Sequence, residues 1–494
     1  MSENDIGTSR IERHPVLEFK RQKEVTIYYH GQPIRAYEGE TVASALYAAG
    51  VRTFSHSPSL NRPRGLFCAI GKCASCVMNI DGISNVRSCI TPVRDGMTVE
   101  EQKGAGAFPE TPEGDYGETV EDAEADIVVV GGGPAGLSAA LEASSLGASV
   151  LLLDENHQLG GQLIKQTHRF FGSKEHDAGV RGVTIARRMI EKVESDERIR
   201  VMLQTTAFGY YPDGVIAAVR ENRQLVRIKG RRVIFATGAA ENSLAFENND
   251  LPGVYGAGAA QTLMNVYGVK PGDEVLMVGS GNVGVIVSYQ LIQAGVKIKA
   301  IVEAMPRIGA YFVHAAKVRR LGVPIYVGHS IKRAFGNGKV EGATIVKLDE
   351  KWRPVEGTEF DIKCDVICLS VGLHPSYELL AQAGCAIRFV PELSGHVAVH
   401  NRNLETTVPG IYVAGDSSGV EEASIAMMEG KVAAISAVFS LGTISGELKE
   451  EAEKRLEHTQ AQLDSLREGP FGERGRKGKE KAFALYDEIM GVRR

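Results

Sequence analysis

The chain has 494 residues, of which 43% are hydrophobic and 24% are charged, and its formal net charge is −5. This balance offers no strongly basic surface, so we expect neither nucleic acid nor an anionic membrane as a partner. No run of about 18 apolar residues is present, which predicts no membrane-spanning segment. The polar start of the sequence is not typical of a secretory signal, and seven unevenly distributed cysteines are not typical of a disulfide framework, so we expect a cytoplasmic location.

The first predicted elements form a small β-rich domain over residues 15–103. The segment VTIYYHGQPIRAY (25–37) predicts two strands joined by a turn. GETVASALYAAG (39–50) predicts a helix, VMNIDGISNVRS (77–88) predicts a hairpin, and GMTVEEQ (96–102) predicts one more strand. A hairpin, a helix, a loop and further strands indicate a β-grasp, ferredoxin-like domain.

Four cysteines lie in this domain at the spacing C-x4-C-x2-C-x12-C: Cys68, Cys73, Cys76 and Cys89. This spacing is typical of a plant-type [2Fe–2S] cluster, in which a loop wraps the cluster and points thiolates inward. Gly71 gives that loop backbone freedom. A zinc site, which would normally add a second short cysteine pair, and a domain without any cluster stay as alternatives. Three further cysteines lie in apolar sequence and are expected to be buried thiols: Cys364, Cys368 and Cys385.

A dinucleotide fingerprint follows in residues 125–156, which predict a buried strand, a glycine turn, a helix and a second strand. The G-x-G-x-x-G glycines are Gly131, Gly133 and Gly136. They allow a tight turn, close approach to a pyrophosphate and close helix packing, and the helix N-terminus favours the phosphates. Asp154 ends the second strand, where a carboxylate can accept hydrogen bonds from a ribose diol.

The same pattern returns in residues 273–304. Its residues are Gly279, Gly281, Gly284 and, at the end of the second strand, Glu303. No arginine directly follows Glu303 to receive a 2′-phosphate, so the sequence favours NAD(H) over NADP(H). Two strands that end at 236–238 and 370–372 indicate the connections between one nucleotide domain and the other, and Gly415-Asp416 follows a later short strand. The segment EEASIAMMEGKVAAISAVFSLG (421–442) then predicts an amphipathic helix.

In order and spacing, these motifs resemble the two-dinucleotide-binding-domain flavoproteins of the thioredoxin reductase and glutathione reductase type. The resemblance implies that the first glycine turn holds the ADP part of FAD, that Asp416 contacts its ribityl-phosphate region, and that the inserted second unit binds NAD(H). It also implies cofactor contacts at Glu155, Gln162 and Gly238. Disulfide reductases of this type carry a C-x-x-C near the flavin or in the NAD domain, whereas the only such pair here is Cys73–Cys76.

The predicted fold class is therefore α/β, with a β-grasp [2Fe–2S] ferredoxin-like domain, two nested Rossmann-like FAD/NAD(P)-binding domains and a helical tail. The predicted boundaries are 15–103 for the ferredoxin-like domain, 104–124 for a linker, 125–245 and 376–445 for the FAD-binding domain, 246–375 for the NAD(P)-binding domain and 446–494 for a helical, basic tail. The tail sequence predicts helix, Gly-Pro turn, basic loop and helix. Its charge spacing favours a solvated helix face, with a docking arm for a partner as the alternative.

The combination is similar to the large (α-type) subunits of heteromeric secondary-amine dehydrogenases and oxidases, which act on proline, hydroxyproline, opines or sarcosine. The segments that carry this resemblance include GLFCAIGKCASCVMNIDG, VVVGGGPAGLSAA, LDENHQLGGQL and LPGVYGAGAAQTLMN. It implies that a β-type FAD-dependent subunit oxidises the C–N bond and that this chain passes the electrons on through FAD and the cluster. No residue stands out as a catalytic acid, base or nucleophile.

The same resemblance implies further cofactors and partners. FMN at the α–β contact, a small ferredoxin-like subunit, and NAD or ATP instead of FAD in the first nucleotide site all occur among such relatives. Two departures are the absence of cysteine after residue 441 and a length too short for the folate-binding domain of sarcosine oxidases. Two other functions stay open: a stand-alone NADH-dependent reductase, and a non-catalytic scaffold subunit that holds a nucleotide.

Overall fold

The computed structural model describes residues 9–107, 120–170, 177–469 and 472–492. The chain divides into two compact units. The first unit combines Met1–Gly114 with Glu241–Gly372, and the second unit combines Asp115–Ala240 with Leu373–Arg494. The chain therefore enters the second unit, returns to complete the first, and ends in the second.

The N-terminal part of the first unit is a small mixed sheet with one helix. Its elements are β1 (Glu24–Tyr29), β2 (Gln32–Tyr37), α1 (Val42–Ala48), β3 (Ser55–His56), β4 (Pro63–Arg64), β5 (Val77–Ile80), β6 (Ile83–Arg87) and β7 (Thr98–Glu101). The main sheet has the order β2-β1-β7-β5-β6, with β1 and β7 parallel. Thr41 and Ser44 form a reciprocal capping box that begins α1.

The second unit begins with a dinucleotide-type βαβ arrangement. Its elements before the insertion are β8 (Glu121–Val130), α2 (Pro134–Ser145), β9 (Val150–Leu153), α3 (Gly182–Glu194), β10 (Ile199–Met202), β11 (Thr205–Tyr210), β12 (Val215–Arg220), β13 (Gln224–Phe235) and β14 (Ala239–Glu241). Strand β8 begins at Glu121, within the predicted linker 104–124, and pairs there in parallel with β13. Residues 108–119 of that linker lie outside the described residues.

The rest of the first unit repeats the βαβ arrangement. Its elements are β15 (Val254–Gly256), α4 (Ala257–Asn265), β16 (Glu274–Val278), α5 (Asn282–Gln293), β17 (Lys297–Glu303), α6 (Phe312–Arg320), β18 (Ile325–Val327), β19 (His329–Phe335), β20 (Gly342–Lys347), β21 (Phe360–Lys363) and β22 (Val366–Leu369). The parallel sheet has the order β15-β22-β16-β17-β18, and β19-β20-β21 form a separate antiparallel sheet.

The C-terminal part completes the second unit with short strands and long helices. Its elements are β23 (Leu373–Pro375), α7 (Glu378–Gln382), β24 (Ile387–Val390), β25 (Gly395–Ala398), β26 (Ile411–Val413), α8 (Ala423–Leu441), α9 (Gly446–Leu466) and α10 (Glu473–Met490). The main sheet has the order β10-β9-β8-β13-β12-β11, with β26 paired in parallel to β13. The loops after β8, β9 and β26 therefore leave the same, carboxyl edge of the sheet.

Helix α8 differs from the amphipathic helix that the sequence predicts. It packs against α2, α9 and β13 and is buried on nearly every side. By length and composition alone this helix could cross a membrane, contrary to the expectation that no segment qualifies, but 83% of its most apolar 18-residue window is buried inside the structure. An all-round apolar helix of this kind is typical of a protein core.

The tail also departs from its prediction. The basic segment expected as a loop is helical, because α10 begins at Glu473 and runs through it. Most tail side chains are exposed, as a solvated face predicts, yet Arg467 and Lys479 are buried. The α/β class, with a ferredoxin-like domain, two Rossmann-type domains and a helical C-terminus, is confirmed, whereas the exact domain boundaries stay predictions.

Candidate functional site

The four clustered cysteines lie on one loop and one strand end of the first unit. Cys68, Cys73 and Cys76 lie on the loop between β4 and β5, and Cys89 follows β6. Three of the side chains are buried and Cys73 is exposed. Ala69 and Ala74 in this loop adopt left-handed backbone conformations, with φ of 53° and 55°, which persist only where the surrounding structure holds them.

The thiols of this loop contact one another. Cys73 and Cys89 hydrogen bond to Cys68 and lower its pKa well below its usual value. Cys89 likewise lowers the pKa of Cys76, while the same hydrogen bonds raise the pKa values of Cys73 and Cys89. Two of the four sulfurs, those of Cys68 and Cys76, therefore favour the thiolate, the form that binds metal, and each is stabilised by hydrogen bonds from neighbouring thiols.

These residues fit a two-iron cluster. Four sulfur donors are the ligand set of [2Fe–2S], which divides them between two irons. Among the described residues, no group of three His, Cys, Asp or Glu side chains is arranged to bind a single metal ion. A two-iron cluster does not need such a group, because each iron takes only two of the four cysteines. Around the loop, Arg87 Nη1 donates to the Gly71 carbonyl at 2.5 Å, and Gly256 N donates to the Phe67 carbonyl at 2.9 Å.

The first glycine turn of the second unit joins β8 to α2. Gly131 has φ +111°, and a Cβ there would lie 2.3 Å from the Ala236 carbonyl oxygen, so only glycine fits. At Gly133, the nearest atom to an added Cβ is Gly161 Cα at 4.0 Å, so this position is open to an approaching ligand. The N-terminal N–H groups of α2 begin there, as a pyrophosphate site requires.

Asp154 lies behind this turn rather than open to a ligand. Its Oδ2 accepts from Gly132 N at 2.7 Å, and its Oδ1 accepts from Asn156 N at 2.8 Å. Burial raises its pKa. Asp154 therefore shapes the glycine turn, and its role as a ribose ligand stays a prediction. Glu155, the next residue, is half-buried.

The Gly415-Asp416 turn lies against the same site. A Cβ on Gly415 would lie 2.7 Å from Ala135 Cβ in the first turn of α2, so the two segments approach closely. The carboxyl group of Asp416 is desolvated, which raises its pKa to about 7, and the nearby carboxylate of Glu429 acts in the same direction. Gln162 lies half-buried in the short helical turn Gly161–Lys165, and Gly238 follows β13.

The second glycine turn, in the first unit, repeats this arrangement. Ser280 N and Ser280 Oγ both donate to Glu303 Oε2 at 2.7 Å, and Met305 N donates to Glu303 Oε1 at 2.8 Å. Glu303 thus holds its glycine turn as Asp154 does. An added Cβ on Gly281 would meet nothing within 4 Å, whereas one on Gly284 would lie 2.2 Å from the Gly279 carbonyl oxygen. Gly281 therefore faces open space, and Gly284 serves packing.

Sequence reasoning missed one part of both sites. Gly160 lies six residues after Asp154, and its N–H donates to the Gly132 carbonyl at 2.8 Å. Gly309 lies six residues after Glu303, and its N–H donates to Ser280 Oγ at 3.2 Å. The equal acid-to-glycine spacing was a visible signal that each glycine turn is covered by a second loop.

The other three cysteines are buried, as predicted. Burial raises the pKa values of the Cys364, Cys368 and Cys385 thiols, so they are not prepared to act as metal ligands.

The fold and these sites define the class of protein. It has two nested dinucleotide-binding domains, preceded by a ferredoxin-like domain with a four-cysteine loop. The chain belongs to the pyridine nucleotide-disulphide oxidoreductase family, whose model matches residues 125–430. Residues 22–104 match the 2Fe-2S iron-sulfur cluster binding domain. These matches support an iron–sulfur cluster and a flavin, and they make the chain an oxidoreductase.

Similar proteins confirm the resemblance to large oxidase subunits. The chain is 28% identical over 417 residues to the alpha subunit of sarcosine oxidase from Corynebacterium sp. (strain U-96), a match that covers 79% of this chain and 42% of that protein. It is 29% identical to an opine oxidase subunit from Agrobacterium tumefaciens (strain Ach5), over 65% of this chain and 66% of the relative. The chain thus spans less than half the length of the sarcosine oxidase polypeptide that it matches.

A solved structure covers more of the chain. The crystal structure of L-proline dehydrogenase from P. horikoshii superposes with a TM-score of 0.68 at 27% identity. The match covers 90% of this chain and 79% of that one. The shared region therefore extends beyond the residues matched by the oxidoreductase family.

Proposed function

We propose that this chain is the electron-transfer subunit of a heteromeric secondary-amine or amino-acid dehydrogenase that acts on CH–NH bonds. The proposal rests on one observation: four cysteine thiols contact one another in a chain that also has two complete glycine turns. The names of its relatives support a substrate of the sarcosine, opine or proline type.

We assign the cofactors to separate sites. The cluster ligands are Cys68, Cys73, Cys76 and Cys89. The flavin residues are Gly131, Gly133, Gly136, Glu155, Gln162, Gly238 and Asp416, with Asp154 as the support of the glycine turn. The NAD(H) residues are Gly279, Gly281 and Gly284, with Glu303 in the supporting role. The first nucleotide site could instead hold NAD or ATP. FMN at the contact with a partner would be an additional cofactor.

When bound, a flavin can exchange both electron pairs and single electrons, and a two-iron cluster exchanges single electrons. The chain's own residues bind and orient these groups. The amides at the start of α2 hold a diphosphate by hydrogen bonds and by the helix dipole. The buried cysteine loop limits water around three of the four sulfurs, and the exposed Cys73 leaves one edge accessible to a redox partner.

The proposal requires a partner that oxidises the amine. A β-type FAD-dependent subunit fills that role, and a small ferredoxin-like subunit is a further candidate. The sarcosine oxidase and opine oxidase relatives are both named as subunits, which supports a multi-subunit enzyme. Thiolate ligands also suit a reducing compartment such as the cytoplasm.

Reconstitution with a β-type subunit tests this function. Under anaerobic conditions, sarcosine, proline or an opine should reduce the cofactors of this chain, seen as bleaching of visible absorption, only when the β-type subunit is present. The matched control is the Cys76→Ser chain with the same partner, which should lose the cluster contribution. Equal bleaching without a partner, or none with it, would contradict the proposal.

A second function has support from the open position at Gly281, which leaves room for NAD(H). In this case the chain alone would be an NADH-dependent reductase. Rapid NADH oxidation with an artificial dye, with no gain on adding a partner and an amine, would favour this function. A colourless chain that binds only a nucleotide would favour the scaffold function.

A further inference from the structure

A network of four charged side chains lies inside the second unit, beneath the Gly415-Asp416 turn. We call it the Glu429 network; its members are Glu421, Glu429, Arg467 and Lys479. Lys479 Nζ lies 2.8 Å and Arg467 Nη2 lies 2.6 Å from Glu429 Oε1. Arg467 also pairs with Glu421 at 2.6 Å. The side chains of Glu429 and Lys479 are 1% and 2% exposed.

The network holds both ends of the turn. Glu429 Oε2 accepts from Gly415 N at 2.9 Å and from Ser418 Oγ at 2.6 Å. Lys479 Nζ donates to Ser418 Oγ at 2.6 Å and to the Ser418 carbonyl at 3.0 Å. Asp416 lies between these two anchored residues. Its position therefore depends on a lysine that the chain supplies about 60 residues later.

Stability alone is a poor reason for such a network. Burying charges is costly, and well-packed apolar residues of similar volume often stabilise a protein as well or better. Charged hydrogen bonds do fix geometry, because they act only at defined distances and directions. The turn needs that accuracy, because Gly415 lies directly against the first turn of α2, where the nucleotide site begins.

We propose that Lys479 and Glu429 are positioning residues for the flavin. The C-terminal tail, which supplies Lys479, therefore contributes to the flavin site. The inference rests on the proposed flavin in the second unit. It extends that proposal, since it assigns a role to α10, which lies after the matched family region.

Three variants of the full chain test the inference. Lys479→Met removes the donor to Ser418 and leaves one excess buried negative charge. Glu429→Gln/Lys479→Met removes one charge of each sign, so the remaining Arg467–Glu421 pair is balanced. Lys481→Met is the matched control, because Lys481 lies on the same helix but pairs with Glu392 at the surface. The readouts are the FAD dissociation constant, the flavin midpoint potential and the unfolding temperature.

A positioning role predicts that FAD affinity falls about tenfold in Lys479→Met, as for loss of a charged hydrogen bond. The double variant should regain the unfolding temperature but keep the weak affinity and the shifted potential, and the control should match the wild type. Unchanged affinity and potential, or their recovery together with stability, would overturn the inference. A wild-type chain without flavin affinity would instead contradict the proposed function, and the inference with it.

Discussion

His400 is an uncharged histidine inside the second unit. It is fully buried, with Nδ1 2.8 Å from the Ala398 carbonyl oxygen and Nε2 3.4 Å from Lys479 Nζ. The carbonyl accepts a hydrogen bond and the ammonium donates one, so the ring carries its hydrogen on Nδ1. Burial, reinforced by the charge of Lys479, lowers the pKa of His400 to about 3.

This pKa predicts acid sensitivity. The folded-state pKa lies below the ordinary value of 6.5, so the stability from neutral His400 is present above pH 6.5 and is lost as pH falls towards 3. In that window this residue should reduce the free energy of unfolding by up to about 1.4 kcal/mol per pH unit. Urea unfolding at about pH 7.5, 6 and 5 checks this against His400→Gln. Equal acid sensitivity in both proteins would contradict the assignment.

The cysteine loop allows a second prediction about single residues. Cys76 is a buried member of the four-thiol group, whereas Cys364 is buried elsewhere in the same unit. Cys76→Ser should reduce bound iron and sulfide to background, because a serine hydroxyl is a poor substitute for a thiolate ligand. Cys364→Ser should keep both. Iron and sulfide analysis would contradict the ligand assignment if Cys76→Ser kept its iron or if Cys364→Ser lost it.

Among the secondary-structure elements, the second glycine turn contains two glycines with different roles: Gly281 leaves room for a ligand, and Gly284 allows close packing. Gly281→Ala places a methyl group in open space, and the residue's φ of −64° suits alanine. We therefore expect an unchanged unfolding temperature but NADH binding weakened about tenfold, as for one misplaced methyl group in a binding site. Gly284→Ala should instead lower the unfolding temperature, because its Cβ would overlap the Gly279 carbonyl oxygen. NADH titration and thermal unfolding distinguish them, and unchanged NADH affinity in Gly281→Ala would contradict this site.

Elements defined by local pattern could be predicted from the sequence. The glycine turns, the Thr41 cap and the cysteine loop all depend on residues within about 30 positions of one another. The Lys479–Glu429 pair joins two distant parts of the chain through a packing arrangement that has no local signal. The burial of helix α8 has no local signal for the same reason, because it depends on packing against α2 and α9.

At the scale of the whole molecule, each compact unit contains one glycine turn, and the first unit also contains the cysteine loop. That loop is tied to the dinucleotide part of its own unit by the hydrogen bond from Gly256 N to the Phe67 carbonyl and by ion pairs from Arg62 and Arg64 to Asp250. A bound cluster should therefore stabilise the first unit as a whole, because a ligand of the native state shifts unfolding to higher temperature.

Cluster removal tests this coupling between the cysteine loop and its unit. Chelation of iron should lower the unfolding temperature of a transition to which the first unit contributes, while FAD affinity stays unchanged because its residues lie in the second unit. Calorimetry of the loaded and iron-free chain, with FAD titration of both, provides the measurement. An unaltered melting profile after iron removal would show that the cluster does not support the fold.

We propose that this chain carries electrons through a [2Fe–2S] cluster and a flavin. The most direct test of this proposal is the iron, acid-labile sulfide, zinc and flavin content of the chain purified without oxygen. We expect about two irons, two sulfides and one flavin per chain, with the visible absorption of both cofactors. Zinc or no metal at the four cysteines, together with a chain that neither contains nor binds flavin, would contradict it.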